Sequence, residues 1–223
     1  YSMINQVGFM VIGVGVGTDL ALSGAAFHAF ADVLFKGLLF MSMGAVLHRT
    51  GTIKASDLGG LYKSMPVTTV CCLFGAASIS AFPLFSAFAT KSLIMDAVAN
   101  NGLTLVWFIM VFASAGVLHH AGIKIPYCAF FAHDSGRRPK EAPWNMLVAM
   151  GISAFLCVAI GCGCFVYLYA ALPNTPDYHP YTVPHLITQS QLLWFAILAF
   201  VVLMYTGHHA DEVPGTNLDV DWI

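Results

Sequence analysis

Between His28 and His48 the chain reads H-A-F-A-D-V-L-F-K-G-L-L-F-M-S-M-G-A-V-L-H, a run apolar and long enough to cross a bilayer. It nevertheless carries His28, Asp32 and Lys36 at successive four-residue steps, which on a helix projects all three from one face. Holding an ionised side chain at membrane depth costs about 3 kcal/mol on insertion scales. Three titratable groups kept at that depth call for a function, and their spacing predicts a proton or cation relay.

The rest of the sequence supports a membrane setting. Hydrophobic residues make up 58% of the 223 positions, charged residues only 9%, and the mean hydropathy is +0.78; a soluble domain has about 25% charged residues. The lipid bilayer is therefore an expected partner. A formal net charge of -2 gives no case for nucleic-acid binding. Six cysteines lack paired C-x-x-C spacing; Cys162 and Cys164, in C-G-C, read as small buried packing residues rather than metal ligands, and no metal site is expected. No nucleophile motif, phosphate loop or dinucleotide fingerprint is present, so neither a cofactor nor catalytic chemistry of its own is expected. Gly13, Gly15 and Gly17 alternate inside an apolar run and read as close helix packing.

Six apolar segments can be marked: about Met3 to Gly17, Ala25 to Leu47, Val67 past Pro83 towards Ala99, Leu103 to Ile123, Asn145 to Leu172, and Leu192 to Gly207. The expected fold is all-α, a polytopic transmembrane bundle of about six spans over residues 1–207, followed by a polar acidic tail, 208–223. Six crossings place the Arg49–Pro66 loop, the Lys124–Pro143 loop and the tail on one side. That side holds Arg49, Lys54, Lys63, Lys124, Arg137, Arg138 and Lys140, seven of the nine Lys and Arg. The loops around Asp19, Asn100 and Pro173–Ser190 hold none. By the positive-inside rule the basic side is cytoplasmic, and a bacterial inner membrane is the expected location.

The third segment is too long for one straight crossing of about 20 residues. In its middle, within S-I-S-A-F-P-L-F-S-A-F, Pro83 removes a backbone donor and clashes with the preceding turn. Such a break survives at depth only where the freed backbone groups find partners, and Ser78, Ser80 and Ser86 flank it. Either a discontinuous helix, a recurring device at ion sites, or a Pro kink in an ordinary helix fits the pattern.

Lys36 lies near the middle of its span, too far from either interface to snorkel easily. Burial disfavours its charged form, whereas Asp32, about 6 Å away, favours it by about 2 to 3 kcal/mol at an effective dielectric near 20. The two effects nearly offset, so the lysine can gain or lose a proton when its partner moves. His28 lies two turns earlier, and the unperturbed pKa of a histidine, about 6.5, suits proton transfer, with neighbours able to shift it either way. Lys91 follows the break: in a partly unwound segment it stays at depth, and in a straight helix it snorkels to the interface. His119 and His120, near the basic end of the fourth segment, are candidates for a channel mouth. Asn5 and Gln6 read as interhelical hydrogen-bonding groups rather than ligands.

Three motifs carry a resemblance: the opening Y-S-M-I-N-Q-V-G-F-M, the His28-x3-Asp32-x3-Lys36-G-L-L-F run, and S-I-S-A-F-P-L-F-S-A-F-A-T-K. Together, over roughly residues 1 to 95, they resemble the antiporter-like membrane subunits shared by Mrp-type cation/proton antiporters and respiratory NADH:quinone oxidoreductase. The remainder, including G-I-K-I-P-Y-C-A-F-F-A-H-D-S-G and the N-L-D-V-D-W tail, looks more like the D-type antiporter subunit. The resemblance implies a bundle of about fourteen helices in two inverted repeats, each with one broken helix, and buried ionisable residues along the midplane. On that pattern Lys36 matches the central lysine of the second half, Lys91 the terminal lysine on the broken helix, and His28 a histidine two turns ahead of the central lysine. Asp32 departs from it, standing where relatives carry a second histidine. The chain would then hold only the second half of such a protein, since the glutamate-lysine pair of the first half is not in it.

The expected function is that of a membrane subunit exchanging a monovalent cation, Na+ first, for protons, alongside other membrane subunits. The alternatives are a proton-translocating subunit of a complex I-like or inorganic-carbon-uptake assembly and a non-conducting structural subunit.

Overall fold

A computed structural model describes residues 2–171 and 178–206. Among them the helices are α1 (Ser2–Val16), α2 (Asp19–Thr50), α3 (Pro66–Ile79), α4 (Ser86–Asn100), α5 (Thr104–Phe131), α6 (Trp144–Ala170) and α7 (Val183–Tyr205). No strand occurs among the described residues. The helices α2, α5, α6 and α7 are each long and apolar enough to cross a membrane. With α1 and the α3–α4 pair they account for the six apolar segments, and the molecule is a polytopic helical membrane bundle. The acidic tail expected at 208–223 lies outside the described residues.

Helix α2 is the element on which the others pack: it touches α1, α3, α4 and α6. Its ends are set locally. The Thr18 side chain accepts from Ala21 N–H at 3.3 Å, Asp19 sits in the positive first turn, and Gly51 closes the helix in a left-handed conformation, φ 74°, with its N–H bonded to Leu47 O. One core cluster joins Phe35, Leu39 and Val46 of α2 to Cys72, Ala76 and Ile79 of α3, Phe130 of α5 and Cys157 of α6. Lipid contributes no hydrophobic drive between helices, so close packing at small residues matters most. At Gly24 a Cβ would stand 2.9 Å from Leu93 Cβ and 3.1 Å from Ile94 N, so this glycine lets α2 and α4 approach one turn before His28. Of the glycines in α1 and the turn after it, Gly13 lies against Ala21 O and Ala25 Cβ of α2, Gly17 takes φ 71° in the turn, and Gly15 faces open space. Close packing therefore accounts for Gly13 alone.

Some boundaries and burials differ from the sequence reading: helix α5 runs on to Phe131 rather than ending near Ile123, so the first part of the Lys124–Pro143 segment is helical. Helix α2 begins at Asp19 rather than Ala25, and α7 begins at Val183 rather than Leu192, because polar residues such as His185, Thr188 and Gln189 conceal a helical first turn that Thr182 and Pro184 open. Cys162 and Cys164 are exposed rather than buried; they sit where α6 widens into a π turn, Ile160–Cys164, on a helix most of whose surface is exposed.

The two basic loops meet at one end of the bundle. Arg49 Nε donates to Glu141 O at 2.9 Å, Arg137 Nη1 to Thr50 O at 3.2 Å, and Lys63 pairs with Asp134 at 3.0 Å. The Glu141 carboxylate in turn accepts from Val67 N–H and Thr68 Oγ1, capping the first turn of α3. The Asp134 carboxyl, which accepts from both Arg138 nitrogens, Gly136 N–H and Lys63, is held well below the usual carboxylate range, with Arg138 the largest cause.

Candidate functional site

The third segment is a discontinuous helix. It leaves α-helical geometry after Ile79 and regains it at Ser86, with Ala81 at φ 57° and Leu84 at φ 74°. Left-handed backbone at non-glycine residues costs about 1 to 3 kcal/mol each and persists only where the surroundings impose it. Ser78 Oγ and Ser86 Oγ bond each other across the break at 2.8 Å, and Ser80 Oγ donates back to Ala76 O at 2.7 Å. Ser78 and Ser86 thus bridge the break, Ser80 bonds back to a carbonyl of α3, and the carbonyls and N–H within the break find partners beyond the serines. Lys91 Nζ donates to Ile79 O at 3.2 Å, Gln189 Nε2 of α7 to Ala81 O at 3.3 Å, and Leu84 N–H to Tyr181 Oη at 3.2 Å. Tyr181 Oη in turn donates to Gly161 O. Gly161 and Gly122 admit the break, since a Cβ on either would overlap Leu84 O or Ser80 Oγ.

The break turns Lys91 inward. The residue is 2% exposed, and Nζ lies 5.0 Å from the centre of the Phe9 ring. The side chain is therefore enclosed by the protein interior. Phe9 also lies near His28, with ring centroids 6.2 Å apart, so one α1 aromatic neighbours both Lys91 and His28. His28 is fully buried; Nδ1 stands 3.0 Å from Thr90 Oγ1 and Nε2 2.7 Å from Gln6 Oε1. One turn further along α2, and one turn again, Lys36 Nζ donates to Asp32 Oδ2 at 2.7 Å, with side-chain exposures of 9% and 12%. Asp32 Oδ1 has no hydrogen-bond partner among the described residues. Lys91 lies within electrostatic range of both Asp32 and Lys36.

His28, Asp32, Lys36 and Lys91 therefore form one buried group spread over α2 and α4. A protonatable base, a half-satisfied carboxylate and two amines within a single apolar interior can hold, pass and exchange protons. His119 and His120 are placed elsewhere, on a π turn of α5, Leu118–Lys124. His119 packs edge-on against Phe200 of α7 at 5.4 Å, while His120 and Lys124 line a separate cavity with Met43, Leu58 and Ile125. The sequence reading missed Thr90, Phe9, Tyr181 and Gln189, and took Gln6 as an interhelical hydrogen-bonding group rather than a ligand. Gln6 does bond between helices, as does Asn5, whose Nδ2 donates to Ala113 O; the Gln6 partner is a member of the site.

Comparison with known proteins gives this geometry its context. The family described as NADH:quinone oxidoreductase/Mrp antiporter, TM matches residues 1–116, a stretch that contains all four buried ionisable residues. Hydrogenase-4 component B of Escherichia coli (strain K12) is 30% identical over 79% of the chain, which covers 30% of that protein. A probable K(+)/H(+) antiporter subunit of Rhizobium meliloti (strain 1021) is 25% identical over 96% of the chain, covering 24% of its length. Among solved structures, the membrane-bound sulfane sulfur reductase, an archaeal respiratory membrane complex, contains a chain of the same fold, with TM-score 0.72 and 28% identity over 97% of this chain and 38% of that one. The chain thus spans between about a quarter and two fifths of the length of these proteins. On the match over residues 1–116, with its buried ionisable residues on a central and a broken helix, the chain belongs to the NADH:quinone oxidoreductase/Mrp antiporter transmembrane family.

Proposed function

We propose that the chain is part of a membrane subunit of a multi-subunit monovalent cation/proton antiporter, with Na+ the first cation to test, and that it carries protons through His28, Asp32, Lys36 and Lys91. The observation that carries this reading is the buried Asp32–Lys36 pair, joined at 2.7 Å while Asp32 Oδ1 is unpartnered among the described residues. A fixed structural pair is expected to satisfy both carboxylate oxygens, because an unmet buried charge is costly. A carboxylate with one free oxygen beside a lysine accepts a second partner, be it a water molecule or the next proton. Movement of Lys36 toward or away from Asp32 then alters the lysine's hold on its proton. Lys91, fixed to a carbonyl of the break, is the natural receiver at the other end. In this reading residues 1–207 form the transmembrane unit, 208–223 a solvated tail, and the basic loops face the cytoplasm of a bacterial inner membrane. The other membrane subunits of the complex are its partners.

The test uses the full-length protein in its assembled complex. Lys36→Ala is expected to reduce Na+-dependent proton flux in inverted vesicles by about a hundredfold, the low end for losing a general acid or base. Unchanged flux with normal assembly would leave the chain as a non-conducting scaffold. A second reading rests on the likeness to a hydrogenase component and to a respiratory membrane complex: the same proton path driven by a redox partner. Flux that follows an electron donor rather than Na+ or K+ selects it.

A further inference from the structure

We propose that Gln6 is a positioning residue for the relay, a side-chain amide whose rotation lets either ring nitrogen of His28 carry the proton. This rests on the proton-transfer reading above and adds to it a residue on α1. Gln6 and His28 are both fully buried, and Gln6 Oε1 lies 2.7 Å from His28 Nε2. The other end of the same amide, Nε2, has no hydrogen-bond partner among the described residues. Nothing among them therefore holds the amide in one orientation except the ring it faces.

Two arrangements satisfy His28 equally. In the first, the Nε2–H of the ring donates to Gln6 Oε1, and Nδ1 accepts from the Thr90 hydroxyl at 3.0 Å. In the second, the amide is turned by half a rotation so that its N–H donates to ring Nε2; Nδ1–H then donates to Thr90 Oγ1, whose own hydrogen goes to Ser86 O at 3.3 Å. The Thr90 hydroxyl has both acceptors within reach and one hydrogen to give, so it follows the ring. In each arrangement one end of the Gln6 amide lacks a partner, and the unmet-group penalty of about 1 to 3 kcal/mol is present in both and favours neither.

Passing a proton across the imidazole changes one arrangement into the other. The Thr90 hydroxyl gives its proton to Nδ1 and takes another from a hydronium ion entering on the α4 side, while the bond between Nε2 and its proton breaks and a water molecule entering on the α1 side leaves with that proton as hydronium. The ring is left as the other tautomer, and the next transfer requires its reset. Rotation of the Gln6 amide makes the reset possible without an unmet group on the ring. An ionised glutamate at this position offers only acceptors to Nε2 and so excludes the second arrangement; a leucine offers neither donor nor acceptor.

The experiment compares wild type, Gln6→Glu and Gln6→Leu in the assembled complex, reading the His28 tautomer by nitrogen-15 magnetic resonance, with the signal assigned by its loss in His28→Gln. Wild type is expected to show both neutral tautomers, Gln6→Glu only the one with the proton on Nε2, and both variants a roughly tenfold slower proton flux with normal assembly. Identical tautomer populations in wild type and Gln6→Glu, or wild-type flux in Gln6→Leu, overturn the proposal. Lys36→Ala separates the two readings: if it abolishes flux while Gln6→Leu does not, only the amide's role fails; if Lys36→Ala leaves flux intact, the relay itself fails, and the tautomer measurement still decides what Gln6 does to the ring.

Discussion

Among the described residues two lysine-aspartate pairs look alike on paper and differ in their surroundings. Lys36–Asp32 spans 2.7 Å with side chains 9% and 12% exposed, whereas Lys63–Asp134 spans 3.0 Å at the basic end with side chains 47% and 42% exposed. Asp134 also accepts from Arg138 and Gly136 N–H, so both of its oxygens are engaged and its charge is fixed by its partners and water. Asp32 has one partner and one idle oxygen among the described residues. The proposed proton role of Asp32 and Lys36 rests on a low-dielectric interior and an unfinished set of bonds, and proximity alone supplies neither.

The comparison can be broken most directly by function. Lys36→Ala is expected to lower proton flux about a hundredfold and Lys63→Ala to leave it unchanged, measured in the same vesicles; equal effects would erase the distinction. The next largest effect is on stability. Asp32→Asn leaves Lys36 buried without its counter-charge, at a cost of about 3 to 5 kcal/mol, read as a lower melting midpoint in detergent. Asp32→Asn combined with Lys36→Met should recover most of that loss, because a buried pair replaced whole by neutral groups is often close to neutral.

Smaller effects probe what places the buried pair's neighbours. Gly24→Ala pushes Cβ against Leu93 and Ile94 and should cost about 1 to 3 kcal/mol as overpacking, separating His28 from Thr90. Gln189→Leu removes the donor to Ala81 O, worth about 1 kcal/mol for a hydrogen bond between membrane helices, and a protease assay on the break would report its loosening. The smallest effect belongs to the exposed pair. Asp134 has a folded-state value below its unfolded one, so its stabilisation is present above about pH 4 and is lost as pH falls towards the depressed folded value. The difference in melting midpoint between wild type and Asp134→Asn should be constant from about pH 8 to about pH 5 and fade only in acid.

Much of the architecture is legible in the residues. Hydropathy locates the six apolar segments, four of them single helices long and apolar enough to cross a membrane, and the Lys and Arg distribution groups the two loops that Arg49, Arg137 and Lys63 join. Pro83 marks a break that is present. Thr18 and Gly51 are available as start and stop signals for α2, yet an apolar window passes over polar first turns, which is also why it places the start of α7 too late. The exposed Cys162 and Cys164 show the reverse error, since an apolar neighbourhood in a membrane chain is as often lipid as protein interior.

What the sequence determined by itself is therefore local: the helical period that sets His28, Asp32 and Lys36 on one face, and the backbone donor missing at Pro83. Only the tertiary structure decided the rest. It turned Lys91 inward onto Ile79 O and paired His28 with Gln6 and Thr90, 22 and 62 residues away. It also drew Tyr181 and Gln189 onto a break 97 and 108 residues distant. Those partners depend on how closely helices approach at Gly24, Gly122 and Gly161, and a hydrogen bond has a reach of about 3 Å. Helical periodicity says which face a side chain is on; it carries no information about which distant helix comes within that reach.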